Sequence, residues 1–600
     1  MDNFFRDIKT FLNTIVQFKT LLDVKQQKQA IGVFFLLFLG ALLETLGVAA
    51  ILPFISAIMS PSVLWENRYV QLLSDAFHIT SDIDLVIFLG VLISIVYILK
   101  NLFLVFVSYA EARFRTSFVY ELSKMMMHSY LKRPYTYFLN TNSAEMIRGV
   151  ADDISSASEL ISAIFKICSL CLMMLGIGIF LIVQEPVMAF SIMFLAFAVF
   201  LIIILIVKKK TKELGILKLE LLTEANKYAY QAFNGIKEIT IMKREDYFLN
   251  SYTCVTARKK RADVAYACIS ACPERIIEAV FLTGIVGMVC FQVVSGRISE
   301  AFITNLAAFA IGAMRILPSL STLTTRMTQV MYLRPTLSGI CSNVEAARQQ
   351  EQMILEIQRK ADLDSKIIEF ERSISIKKIS WRYPGSTVYI LKDASIEIKR
   401  GESIALVGKS GAGKTTLADI LLGLLKPEKG TVLMDDIDIF TIPQSWCQII
   451  GYVPQTVYLI DDTIRNNVTF GISADEIDET KVWKALERAQ IREYVEGLPN
   501  QLDTIIGERG IKFSGGQRQR VAIARALYHN PEILVFDEAT AALDGETEQA
   551  VMEAIDALRG YKTLIIIAHR LNTLRRCERF FEVENGKIIE RSRGEVLGSE

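Results

Sequence analysis

The chain has 600 residues, 52% of them hydrophobic and 22% charged, and its 66 Lys and Arg against 65 Asp and Glu leave a formal net charge of +1. With a mean hydropathy of +0.34 it carries more apolar surface than soluble cores of this length need, so part of it belongs in lipid. The near-neutral balance excludes the basic footprint of a nucleic-acid binder. Of the nine cysteines, only Cys168 and Cys171 form a CxxC, inside an apolar run with no second pair. That argues for small buried hydrophobes over a zinc site or a disulfide framework. Met1 to Gln29 is polar and amphipathic and lacks a short apolar core with a cleavage site, so no signal peptide is expected.

Six apolar segments follow, at about 30–59, 83–109, 157–183, 187–207, 266–296 and 302–333. Each is long enough to cross a hydrocarbon layer that takes about 20 helical residues. One such segment reads equally well as a soluble core; six together do not. The connection 110–156 carries Arg113, Arg115, Lys132 and Arg133, and 208–265 carries Lys208 to Lys210 and Arg258 to Arg261. Both are placed in the cytoplasm by the positive-inside rule, and an even number of crossings puts both termini there too. These inward connections are far longer than turns and read as helix, as in Glu220 to Phe248 with Leu221, Leu222, Ala225 and Ala229 at helical spacing. Where the chain must reverse, short transverse helices are expected near Pro134 to Asn142 and near Glu245 to Ser251.

The predicted fold is therefore a membrane α-helical bundle of six transmembrane helices over 1–345, a polar linker over 346–370, and a soluble α/β domain over 371–600. The last begins with alternating strand patterns such as Ile374-Ser375-Ile376-Lys377 and Ile396-Glu397-Ile398-Lys399.

Within that domain the buried-strand pattern Ser403 to Val407 runs into Gly408-Lys409-Ser410-Gly411-Ala412-Gly413-Lys414-Thr415, and Thr416 opens a helical pattern. Strand, glycine-rich loop and helix in this order make a P-loop. Its backbone N–H groups wrap phosphates, Lys414 reaches the β/γ-phosphates of ATP, and the Thr415 hydroxyl ligates Mg²⁺. A second apolar run, Ile533 to Phe536, ends in Asp537-Glu538. An Asp-Glu pair at a strand end is ordinarily a solvated loop. Beside a P-loop it reads as an acid on the Mg²⁺ side, Asp537, and a residue that polarises the attacking water, Glu538. Between them lies Ser514-Gly515-Gly516-Gln517 at a helix start, where free N–H groups and a hydroxyl suit a phosphate.

With these motifs in this order, the chain resembles the ATP-binding cassette (ABC) superfamily over its whole length. Six spans and one cassette are the layout of an exporter half-transporter with the type I exporter fold. The resemblance implies an ATPase coupled to transport. It implies that Tyr383 stacks on adenine, that Gln455 is the Q-loop glutamine touching Mg²⁺, and that His569 contacts the γ-phosphate, although a lone histidine after a strand is ordinarily a surface residue. It also implies that Ala541 to Asp544 form the D-loop and that Gly507 to Gly510 form the X-loop. Phe513 stands where the family has Leu, and Ala541 where it has Ser, which removes a hydroxyl. The implied mechanism takes two cassettes, the P-loop of one facing Ser514 to Gln517 of the other. A homodimer is the simplest complete machine, and a heterodimer is the alternative.

The cargo is sought among the charges inside the spans: Glu44, Glu274, Arg275, Glu278 and Arg315, with Arg326 and Arg334 further down. At 100° per residue Arg315 and Arg326 fall within roughly 20° of one face and about 16 Å apart. With Arg275 they are the candidate substrate residues. The competing reading has Arg326 reaching the interface and Arg315 pairing with Glu278 or Glu274. Ala41 to Gly47 and an outward stretch, Trp65 to Leu73, resemble the flippases for lipid-linked oligosaccharides of bacterial N-glycosylation. The resemblance implies an anionic lipid-linked glycan as cargo and the bacterial inner membrane as location. A multidrug or general lipid exporter is the alternative. A peptide exporter with a leader protease is disfavoured by the absence of any cysteine before Cys168, and an ATP-gated channel by the intact Glu538 and His569.

Overall fold

The computed structural model describes residues 16–59, 81–184, 186–294, 300–360, 369–538, 545–568 and 574–597. They divide into two compact units. One holds the chain up to Arg133 and from Thr141 to Gln350; the other holds Pro134–Asn140 and the chain from Glu351 onward.

The first unit is built from six long helices: α1 Val24–Met59, α2 Asp82–Leu131, α4 Ser143–Gln184, α5 Pro186–Asn234, α7 Glu245–Val294 and α8 Glu300–Lys360, whose end from Glu351 onward falls in the second unit. All six expected spans fall in these helices; the segment 266–296 runs past Val294 into residues outside the described ones. By length and composition Val24–Ile51, Asp82–Leu131 and Ser143–Val183 qualify as membrane-crossing stretches, with mean hydropathies of 2.2, 2.4 and 2.4. Helix α2, one of these, has 50 residues, about 75 Å at the α-helical rise, far more than a hydrocarbon layer of about 30 Å takes; α7 is equally long. Helix α8 continues to Lys360, inside the stretch expected as linker.

Local chemistry sets the helix starts. Ser81 caps α2, its Oγ accepting from the Asp84 N–H at 3.2 Å, with Asp82 and Asp84 in the first turn. Pro186 opens α5, where a missing N–H costs nothing. Ala41, Ile167, Ile177, Ile277, Phe281 and Leu320 belong to an apolar core that joins α1, α4, α7 and α8. Helix α1 comes close to α2 at Gly47, where an added Cβ would fall 3.2 Å from the Lys100 Nζ. A small residue is what lets membrane helices approach in this way.

Two short helices interrupt the long ones: α3 Tyr135–Asn140 and α6 Ile236–Met242. The first coincides with the expected reversal near Pro134. The second lies ahead of the expected Glu245 to Ser251, a correction with a local cause. The chain breaks at Gly235 and again at Lys243, whose φ is 51°, and Glu245 with Asp246 then supplies the acidic first turn of α7.

The second unit contains two sheets. Strands β1 Ser373–Trp381, β2 Leu391–Lys399, β4 Lys429–Met434 and β5 Ile437–Asp438 form an antiparallel sheet in the order β2-β1-β4-β5. The turn between β4 and β5 anchors the start of the domain, because the Asp435 carboxylate accepts from the backbone N–H groups of Glu371, Arg372 and Ser373 at 2.6, 2.8 and 2.8 Å.

Strands β3 Ser403–Val407, β6 Ile450–Val453, β7 Ile533–Asp537, β8 Thr563–Ile567, β9 Arg579–Glu584 and β10 Lys587–Arg591 form the other sheet, ordered β10-β9-β3-β8-β7-β6. Its β9, β3, β8, β7 and β6 are parallel. Parallel strands are covered on both faces, which is why β3, β7 and β8 read as unbroken apolar runs. Leu534 and Phe536 enter one core, Ile533 and Val535 the other. The helices α9 Lys414–Leu421, α10 Pro443–Ile449, α11 Ile464–Thr469, α12 Glu479–Arg488, α13 Arg492–Glu496 and α14 Gly515–Tyr528 follow in this unit, and those that matter for the site are α9, directly after β3, and α14, shortly before β7.

Candidate functional site

Parallel pairing aligns the carboxyl ends of the central strands. Val453 pairs with Phe536, Asp537 with Ile567, and Leu406 with Ile567. Gln455, Glu538 and Gly408, each just past its strand end, are therefore brought to one edge of the sheet from three separate stretches of sequence. That edge is where open α/β sheets bind ligands.

The P-loop has the geometry its glycines permit. Gly408 has a φ of 139°, and an added Cβ there would lie 2.5 Å from the Val583 carbonyl oxygen. Gly413, with φ 104°, caps α9 without any side-chain cap, which leaves first-turn N–H groups facing the loop. The Lys414 ammonium donates to the carbonyls of Gly408 and Lys409 at 3.0 and 3.1 Å. Burial lowers the Lys414 pKa, while Glu538 and Asp537 oppose the shift. Lys409, Ser410 and Thr415 are exposed, and Thr416 is buried.

At the tip of β7, Asp537 is buried and Glu538 half-buried. Burial raises the Asp537 pKa, Glu538 adds to the rise, and a hydrogen bond from the Tyr452 hydroxyl opposes it. A buried carboxylate whose charge is costly, beside a second carboxylate and near the Lys414 ammonium, fits a divalent cation bound together with phosphates. The Gln455 amide donates to the Glu538 Oε2 at 2.7 Å, so two of the sequence-derived residues meet directly. Glu538 itself has a left-handed φ of 47°.

Sequence reasoning did not single out Tyr452 or Asp419. Asp419 lies on α9, and its carboxyl is pushed up to about 6, first by burial and then by Asp537. Only the fold reveals this pair, since neither belongs to a motif.

Ser514 caps α14 in a capping box: its Oγ accepts from the Gln517 N–H at 3.2 Å, and the Gln517 side chain accepts from the Ser514 N–H at 2.8 Å. The N–H groups of Gly515 and Gly516 remain at an open first turn. No hydrogen bond among the described residues joins Ser514 to Gln517 with Gly408 to Thr416. Tyr383, 44% exposed, meets Trp381 edge-on at 4.6 Å. His569 and Ala541 to Asp544 lie outside the described residues, as does Trp65 to Leu73.

In the membrane unit the candidate arginines differ in setting. Arg275 is ion-paired with Glu278 on its own helix at 3.2 Å, with side chains 78% and 65% exposed. Arg326 is half-buried and donates at 2.7 Å to the Gln329 amide oxygen, with no ion pair among the described residues. Arg315 lies on α8, but its side chain is outside the described ones. Lys100, not among the charges singled out above, is buried and pairs with Glu44 at 3.6 Å. A lysine inside the apolar run 83–109 is the signal that would have found it.

The family model for the ABC transporter transmembrane region matches residues 28–315, and the ABC transporter model matches 391–541. A protein of Yersinia pestis bv. Antiqua (strain Antiqua) named ATP-dependent lipid A-core flippase is 28% identical over 491 residues, 79% of this chain and 80% of that protein. Its namesake from Escherichia coli (strain K12) is 27% identical over 532 residues, 87% and 88% of the two chains. A solved bacterial Atm1-family ABC exporter with ATP bound shares the fold with a TM-score of 0.72 at 21% identity, over 94% of this chain and 95% of that one. With its apolar helices matched as the membrane region and its P-loop domain as the cassette, the chain belongs to the ABC transporter family, as an exporter whose ATPase activity drives transport.

Proposed function

We propose that this chain is one half of a homodimeric flippase that moves an anionic, lipid-linked glycan across the bacterial inner membrane, with both termini in the cytoplasm. Each ATP is held by Gly408, Lys409, Ser410, Gly411, Ala412, Gly413, Lys414, Thr415 and Thr416 of one copy and by Ser514, Gly515, Gly516 and Gln517 of the other, with Tyr383 against the adenine. The open first turn of α14, which has no hydrogen bond to its own P-loop, supports a site completed by a second copy. Thr415, Gln455 and Asp537 would hold Mg²⁺, which when bound offsets charge on the phosphate oxygens. Glu538 orients the attacking water and takes its proton, Gln455 positions Glu538, and His569 attends the γ-phosphate.

The observation that carries the cargo reading is Arg326. It is a half-buried guanidinium on α8, held among the described residues by an amide and not by a carboxylate, so its charge remains available to an oxyanion. The names of the relatives, lipid A-core flippases, support a lipid cargo. The test is ATPase stimulation in nanodiscs by anionic and neutral lipids for wild type, Arg326→Ala and Arg315→Ala. Loss of anionic stimulation by about tenfold or more in stable protein is expected. A stable Arg326→Ala variant with wild-type stimulation overturns the anionic-cargo reading in favour of a multidrug or general lipid exporter.

A further inference from the structure

Arg326 is one end of a three-residue chain across two helices. Its Nη1 donates to the Gln329 Oε1 at 2.7 Å, and the Gln329 Nε2 in turn approaches the Glu159 Oε2 of α4 at 3.4 Å. The amide thus faces the cation with its oxygen and the anion with its nitrogen, the polarity each prefers. Among the described residues neither Arg326 nor Glu159 takes part in an ion pair. The two charges are near neighbours kept apart by one neutral side chain. Without Gln329, the long and flexible arginine would gain by turning to Glu159, because a half-buried guanidinium and a neighbouring carboxylate attract. A carboxylate at position 329 would neutralise Arg326 directly, since positions 326 and 329 are helical neighbours.

We propose that Gln329 is a positioning residue that sets the charge selectivity of transport: it keeps Arg326 from being neutralised by Glu159 and aims it, so that a phosphate-bearing group can take the guanidinium. This rests on the reading of Arg326 given above. The amide contact to Arg326 is a neutral one, and a phosphate oxygen displaces it at a gain because both partners of the new bond are charged. The Glu159 carboxylate, still engaged by the Gln329 nitrogen, does not compete. The chemistry recognised is a phosphate group, borne by a lipid or free in solution.

The full-length chain is reconstituted in phosphatidylcholine nanodiscs, and ATPase activity, relative to each variant's own basal rate, is titrated with phosphatidic acid and separately with water-soluble glycerol phosphate. Gln329→Leu is expected to raise the concentration of phosphatidic acid for half-maximal stimulation by about tenfold or more, with the maximal stimulated rate retained. Gln329→Glu is expected to abolish stimulation. The decisive variant is Glu159→Gln in the Gln329→Leu background, which removes the competing carboxylate and restores sensitivity; a packing defect at position 329 would not be rescued by a change on another helix. Response to glycerol phosphate with the same Gln329 dependence shows that the phosphate alone is recognised, and response to phosphatidic acid alone shows that the lipid is required. If Gln329→Leu titrates as wild type, or Glu159→Gln fails to rescue it, the proposal falls although Arg326→Ala still loses stimulation. If Arg326→Ala itself keeps its stimulation, the underlying cargo reading falls with it.

Discussion

The amide of Gln455 and the carboxylate of Glu538 meet at 2.7 Å across two parallel strand ends, with the nitrogen donating and the Glu538 Oε2 accepting. Glu538 is thereby aimed by a neutral neighbour. Glu538→Gln puts an amide where a proton acceptor is needed. Loss of turnover by about 10²-fold or more is expected, with nucleotide affinity retained because Lys414, Thr415 and Asp537 are untouched. ATPase rate and equilibrium binding of a fluorescent nucleotide on the same sample check both halves.

Lys414 is the complementary case. Its ammonium already lies on the carbonyls of Gly408 and Lys409, partly desolvated at the loop it serves. Lys414→Ala is expected to weaken nucleotide affinity by about tenfold or more, since a charge-assisted contact to phosphate contributes roughly 1.5–3 kcal/mol. Affinity unchanged in the variant would remove Lys414 from the phosphate site.

The pair of buried Lys100 with half-buried Glu44, 3.6 Å apart between α2 and α1, predicts an asymmetry. Removing one partner, as in Lys100→Met, takes the cation from beside a half-buried carboxylate and is expected to destabilise the chain by about 3 kcal/mol or more. Removing both, as Lys100→Met with Glu44→Leu, is expected to recover most of that loss. Thermal unfolding in one detergent across the three proteins measures it, and a double variant no better than the single would contradict the pairing.

Asp419 supplies a pH dependence. With its carboxyl pushed up to about 6 by burial and then by Asp537, the nucleotide-free folded chain keeps a proton that the unfolded chain releases near pH 4. The stability from this group is full below that window and is lost as pH rises through about 6. The advantage of Asp419→Asn over wild type in melting temperature should therefore grow between about pH 4 and 6 and level off above it. Solvent access keeps the effect modest. An advantage independent of pH would show that Asp419 does not titrate in this range.

Much of the architecture was legible in local sequence for identifiable reasons. Lipid has no hydrogen bonds to offer a bare backbone, so an apolar run as long as 83–109 must be helix. The P-loop was legible because its glycines and Lys414 act through adjacent backbone. The break at Lys243 was missed because residue types on either side of it favour helix equally well, and only the left-handed φ marks the end.

What the sequence by itself determined is the set of chemical parts: the spans, the phosphate loop, the paired carboxylates of Asp537 and Glu538, and the arginines on α8. What only the tertiary structure decided is which of those parts touch. Parallel registry brought Gln455 to Glu538, Tyr452 to Asp537, and Asp419 into the same acidic neighbourhood. Helix packing assigned Lys100 to Glu44 and brought Glu159 to the Gln329 amide that holds Arg326. The reason is range. Backbone geometry and burial preference act over a few residues and show in composition and spacing. The charge state and orientation of a buried group are set by atoms within a few ångströms, contributed by residues far away along the chain.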